Sequence, residues 1–172
     1  SLESIVSLNP DLVLAARFNP MEVLEGLRRL GIPVFALAPS RFTDILDTVD
    51  QIGRLSGHAA TSDSLVRSMR VRVEAVRSAV ATVPDSARPL VLWGRLKAPM
   101  YTAGPGGYLN DLINLAGGRN LAADARADWP QIGLETIVSR NPDVIIVSGG
   151  DSDIDRDLER LRGTGGWQGV QA

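Results

Sequence analysis

A stretch of fourteen residues recurs in this chain in closely related form. Residues 2–15 read Leu2-Glu-Ser-Ile-Val-Ser-Leu-Asn-Pro-Asp-Leu-Val-Leu-Ala15, and residues 134–147 read Leu134-Glu-Thr-Ile-Val-Ser-Arg-Asn-Pro-Asp-Val-Ile-Ile-Val147. The offset is 132 positions, and 8 of the 14 pairs are identical. Conservative pairs such as Ser4/Thr136 and Val13/Ile145 add to the match. A likeness this long at one fixed offset points to two related halves, each built around the same local unit. The unit is a short helix, an Asn-Pro stop and an apolar run. The residue before proline is pushed out of the helical region, and a short apolar run suits a buried parallel strand. In the first copy Ser1 is placed to N-cap the helix.

The chain between the copies repeats the same alternation. Met21 to Leu30 is expected to be helical, with Val23, Leu24, Leu27 and Leu30 on one side and Gly31 as terminator. Residues 32–37 read as a second strand, with Pro33 near its start. Thr43 to Leu55 reads as another amphipathic helix ending near Gly57. Helix, strand, helix, strand, helix argues an α/β fold with mostly parallel sheets. From about Ala59 to Val83 there is neither glycine nor proline. Leu65, Met69, Val73, Val76 and Val80 make a narrow apolar stripe there, on a helix of roughly 35–38 Å. An ordinary surface helix is the plainer reading. Its place between the two copies favours a rigid strut joining two lobes. The expected division is residues 1–57 as the remainder of an N-terminal lobe, 58–83 as the interlobe helix, and 84–172 as an incomplete C-terminal lobe.

After a linker at 84–89, strands are expected at 90–93 and 100–103 and a helix at 108–116, closed by Gly117-Gly118. Residues 119–132 read as loop. The second copy follows, then a polar helix from Asp153 to about Arg162 and a glycine-rich end. The opening residues lack the basic start and long apolar run of a signal peptide. The chain is expected to be an excerpt, truncated at both ends.

Composition removes several function classes. The net charge is −2 with no block of like charge, so no nucleic-acid partner is expected. There is no cysteine, and His58 is the sole histidine, which excludes thiolate and multi-histidine metal sites. No apolar run approaches a membrane span. No catalytic set emerges, so the expectation is a protein that is not an enzyme, with no cofactor and no bound metal.

Four groups of residues invite a functional reading. Gly104-Pro-Gly-Gly107 before a helix suggests a phosphate loop, but position 109 is leucine and no Gly-Lys-Ser/Thr follows, so a tight turn is the better account. The acids Asp151, Asp153, Asp155 and Asp157 lack the glycine and glutamate of a calcium loop and suit a solvated helix start. Glu3 and Glu135 lie in the first turn of the two repeat helices. Dipole complementation accounts for one such glutamate, worth a few tenths to about 1 kcal/mol. The same acid in both copies also fits two matching basic sockets on a two-fold symmetric partner. Finally, Arg17 and Phe18 follow the first strand. Trp93, Arg95, Lys97 and Tyr101 flank the strand at 90–93, and Trp129 precedes the second copy. Ligands of α/β sheets bind outside the carboxyl ends of strands, and aromatics with a few cations there suit a large, flat, partly anionic ligand.

These features, with Leu30-Gly-Ile-Pro-Val34, Tyr101-Thr-Ala-Gly104, Ala116-Gly-Gly-Arg-Asn120 and Trp129-Pro-Gln131, make the chain resemble the cobalamin and iron-siderophore substrate-binding proteins of bacterial ABC importers. The resemblance implies two α/β lobes joined by one long helix, with ligand held in the cleft between them. It implies an extracytoplasmic location, periplasmic or lipid-anchored at the cell surface, and an ABC permease as partner. It also implies transporter docking through Glu3 and Glu135, and ligand contacts from Arg17, Trp93, Arg95, Tyr101 and Trp129. Ala16 stands where cobalamin binders can carry tryptophan, which weighs against cobalamin. Two rival readings accompany this one: a nucleotide-binding, doubly wound enzyme domain using Gly104 to Gly107, and a non-transport sensor or scaffold with the same fold.

Overall fold

The computed structural model describes residues 1–95 and 99–147, together with 159, 162, 163, 165, 167 and 170. Asp151 to Asp157, Lys97 and most of the expected polar helix lie outside the described residues. The chain forms two compact units, Ser1–Pro39 and Ser40–Ala172.

The first unit contains α1 (Leu2–Val6), β1 (Val13–Ala16), α2 (Met21–Arg29) and β2 (Val34–Leu37). β1 and β2 pair in parallel, from Val13 opposite Val34 to Ala16 opposite Leu37. The core is small: Ala15, Leu24 and the fully enclosed Leu27. Burying a leucine of this kind stabilises by about 1.5–3 kcal/mol. Gly26 lets the Leu2 side chain lie close on α2, because a Cβ there would come within 2.7 Å of it.

The second unit holds α3 (Phe42–Leu55), α4 (Ala59–Val80), β3 (Leu90–Arg95), β4 (Tyr101–Thr102), α5 (Tyr108–Leu115), β5 (Arg119–Asn120), α6 (Leu134–Arg140) and β6 (Val144–Val147). β3 is the hub. It runs parallel to β6, Val91 to Gly94 facing Val144 to Val147, and parallel to β5. It is antiparallel to β4. Leu92, Leu121, Ile132, Ile137 and Trp167 form the buried centre, with Ile145 and Val147 packed against it. The short strand β5 and a 3-10 turn at Asp85–Ala87 arise where the sequence suggested loop and linker.

Helix ends follow local chemistry. Gly31, Gly57 and Gly117 adopt φ of 75°, 76° and 79°. Each closes its helix with a paired set of hydrogen bonds, for example Ile32 N–H to the Leu27 carbonyl and Gly31 N–H to the Arg28 carbonyl, both 3.0 Å.

The packed face of α4 corrects the expected stripe at two of its five positions. Leu65 is 50% exposed and Val76 46%. Met69, Val73 and Val80 are partly buried as expected, and Ala59, Ser62 and Val66 join them on the packed side. Ser62 is buried against Gly53 of α3, where any Cβ would overlap its side chain. The two helices come close where two of their smallest residues, Gly53 and Ser62, meet.

Candidate ligand-binding and docking residues

The second unit brings two of the expected aromatic residues into contact. Trp93 leaves the C-terminal half of β3 and meets Trp129 edge to face, with ring centroids 5.5 Å apart and planes at 64°. Such pairs contribute about 0.5–1.5 kcal/mol beyond area burial. Trp93 is half-buried, while Trp129 keeps 40% of its surface exposed and Tyr101 43%.

Backbone pairing fixes this edge. Arg95, the last residue of β3, lies opposite Tyr101 on β4. Tyr101 in turn bridges to Gln131. Gly94 permits the β3–β4 approach, because a Cβ there would lie 2.7 Å from the Tyr101 carbonyl. Behind the edge, Thr102 is wholly enclosed. Its hydroxyl donates to the Trp93 carbonyl at 2.6 Å, and its amide donates to the Pro130 carbonyl at 3.0 Å. Trp93, Arg95, Tyr101 and Trp129 therefore share one end of β3, the carboxyl end of a strand parallel to β5 and β6.

Arg17 belongs to the first unit. It follows β1 in an exposed turn, shaped by the Ala16 amide donating to Asn19 Oδ1 at 2.6 Å. Phe18 beside it is 84% exposed. The first unit thus presents a cation and an aromatic ring at the end of its own parallel strand.

Gly104 and Gly106 serve packing. A Cβ on Gly106 would overlap the Asp128 carboxylate, and one on Gly104 the Ala127 carbonyl. The space a phosphate would take beside Gly106 already holds a negative group. At the start of α5, Asp111 accepts from the Phe42 amide at 3.0 Å and pairs with Arg41 at 2.6 Å. Among the described residues no group of three His, Cys, Asp or Glu side chains could hold a metal ion.

Glu3 and Glu135 are exposed, and each is the second residue of its helix, α1 or α6. Among the described residues neither carboxylate forms a salt bridge. The Ser1 side chain and the local backbone hold the Glu3 carboxyl below its ordinary range. At α6 the cap is Gly133, which offers no side chain.

Two site residues escape a reading by residue type. Gln131 matters through a backbone bridge that any residue can make. Thr102 lies inside the Tyr101-Thr-Ala-Gly104 stretch, but its hydroxyl acquires meaning only once β3 and β4 pair.

Parallel α/β units with aromatic and cationic residues at strand ends, and glycines spent on packing, have the build of a solute-binding fold. A family model described as "Periplasmic binding protein" matches residues 1–172, and the chain belongs to that family. It is 33% identical over 156 residues to a vitamin B12-binding protein of Yersinia pestis, covering 90% of this chain and 55% of that protein. The chain spans about half the length of that curated relative. An ABC-type Fe3+-hydroxamate transport system structure from Saccharomonospora viridis aligns with TM-score 0.79 at 25% identity, covering 99% of this chain and 60% of that one. A periplasmic heme-binding protein from Roseiflexus aligns with TM-score 0.77 at 26% identity, covering 96% and 62%.

Proposed function

We propose that this chain is part of the substrate-binding component of an ABC importer. It captures a ferric siderophore or a cobalamin-type ligand outside the cytoplasmic membrane and delivers it to the permease without chemical change. The observation that carries the reading is the Trp93–Trp129 pair with exposed Tyr101 at the carboxyl end of β3, in a chain of this family. Flat apolar rings bind a chelate or a macrocycle through large contact area at low entropy cost. Arg95 and, from the first unit, Arg17 with Phe18 supply cations and a further ring. In this reading residues 1–57 and 84–172 contribute to two lobes and residues 58–83 join them. Glu3 and Glu135 each meet a basic socket on the permease, an arrangement supported by their exposure and matching position in the two copies.

Haem is the least suited of the three ligand types named among the relatives. The sequence offers no set of histidines or tyrosines for haem iron, and His58 is its only histidine. Among the described residues no helix is long and apolar enough to cross a membrane.

The test is titration of the full-length protein with cyanocobalamin, a ferric trihydroxamate and hemin, followed by tryptophan fluorescence and calorimetry. Saturable quenching by one of the first two is expected. Absence of binding by both overturns the proposal.

A further inference from the structure

We infer that Thr102 is a positioning residue for the aromatic pair: one buried hydroxyl and its own amide set the backbone of both tryptophans. This rests on reading Trp93 and Trp129 as the ligand-contacting surface. Thr102 has no exposed surface, so its hydroxyl must find a partner inside the protein. That partner is the carbonyl of Trp93 itself, at 2.6 Å. The amide of the same residue reaches the carbonyl of Pro130, the neighbour of Trp129, at 3.0 Å. Two residues on, the Gly104 amide donates to the Asp128 carbonyl at 2.9 Å, holding the other flank of Trp129.

The segment 102–104 is anchored from behind as well. The Ala103 carbonyl accepts from Asn120 Nδ2 at 3.0 Å, and the same amide donates to Asn110 Oδ1 at 3.0 Å. Asn120 is buried, and its Oδ1 accepts from the Ala122 amide. Trp129 lies in no helix or strand. Its placement against Trp93 therefore depends on the hydrogen bonds that flank it and on the ring contact.

The chemistry at position 102 is specific. Valine fills the same volume but has no donor. Among the described residues the Trp93 carbonyl then keeps the Ala103 amide, which reaches it at a long 3.4 Å. Serine keeps the donor and loses one methyl group.

Near-ultraviolet circular dichroism of the ligand-free, full-length protein reads the geometry of the pair, with Trp93→Phe giving the signal without it. Thr102→Val is expected to reduce the pair signal about twofold or more and to weaken binding of cyanocobalamin or ferric trihydroxamate about tenfold, the effect of one buried hydrogen bond. Thr102→Ser is expected to keep both within about twofold of the parent. An unchanged pair signal in a folded Thr102→Val protein overturns the inference. So does a Thr102→Ser protein that loses the signal, and this decides the matter even where the valine variant does not fold. The signal is measured without ligand, so failure of the parent protein to bind either probe counts against the transport reading and not against this one.

Discussion

Asn9 and Asn141 stand at equivalent places in the two copies of the repeat and share one backbone conformation, with φ of 46° and 44°. Among the described residues they are the non-glycine positions with positive φ. Asparagine tolerates this region better than most residues because its short amide can bond locally. The proline after it keeps the helix from resuming. Replacing Asn9 with alanine should cost about 1 kcal/mol, whereas glycine should be close to neutral. Urea denaturation of the two variants checks this; equal midpoints would show that the left-handed turn is not under strain.

The two repeat glutamates make a prediction about transport alone. Exchanging Glu3 and Glu135 together for lysine should reduce ligand uptake by roughly tenfold or more, because charge complementarity governs docking. Ligand affinity measured in solution should stay within about twofold, since both side chains are exposed on the repeat helices. Uptake at the parental rate would remove the docking assignment.

The aromatic edge should fail by degrees. Trp129→Ala is expected to weaken ligand binding by about 1–3 kcal/mol, and Trp93→Ala by a similar amount. Because the rings touch, the double variant should lose less than the sum of the two, with a coupling of about 0.5–1.5 kcal/mol. Calorimetric titration of the three variants measures that coupling directly. Strict additivity would mean that the pair does not act as one surface.

Acid should weaken one surface contact in a defined direction. Arg140 grips Asp124 through two hydrogen bonds of 2.7 and 2.8 Å and holds its carboxyl below the usual range. A depressed folded value means that the contribution is present above the unfolded value, near pH 4, and is lost as the pH falls through the folded one. Asp124→Asn should therefore lower the denaturation midpoint at pH 7, and the difference from the parent should disappear as the pH falls below the folded value. Both side chains are more than a third exposed, so the difference should be small and should shrink further in high salt.

Two of the three glycines before α5, Gly104 and Gly106, should respond differently to the same change. Gly104→Ala drives a methyl group into a backbone carbonyl and should cost about 1–3 kcal/mol. At Gly106 the obstacle is the carboxylate of Asp128, which can rotate away, so the loss should be smaller. Thermal denaturation of the pair distinguishes them. A larger loss at Gly106 would mean that Asp128 is held rigidly.

The sequence is most readable where a single residue type answers a local need. Gly31, Gly57 and Gly117 end helices by their own backbone freedom, and the repeat marks both helix–turn–strand units without reference to anything distant. Trp93 and Trp129 are also recognisable, as aromatic residues just beyond or before strands. That they touch is not, because their contact depends on β4 and on carbonyls contributed by three separate segments. The face of α4 is legible only in part for a related reason. Periodicity selects Leu65, Met69, Val73, Val76 and Val80, and Met69, Val73 and Val80 do lie on the packed side, but it cannot show that Gly53 of α3 meets Ser62 and brings that small polar residue into the contact. A two-residue strand such as β5 has no period to detect.

That close approach has a mutational consequence. At position 53 only a hydrogen atom leaves Ser62 in place, while Leu65, Val71 and Val76 on the neighbouring helix face open water. A library randomised across α3 and α4 should return glycine almost alone at position 53, and a wide alphabet at the three larger, more conspicuous positions. In this pair of helices the freedom to vary lies with the bulky residues, and the veto belongs to the smallest one.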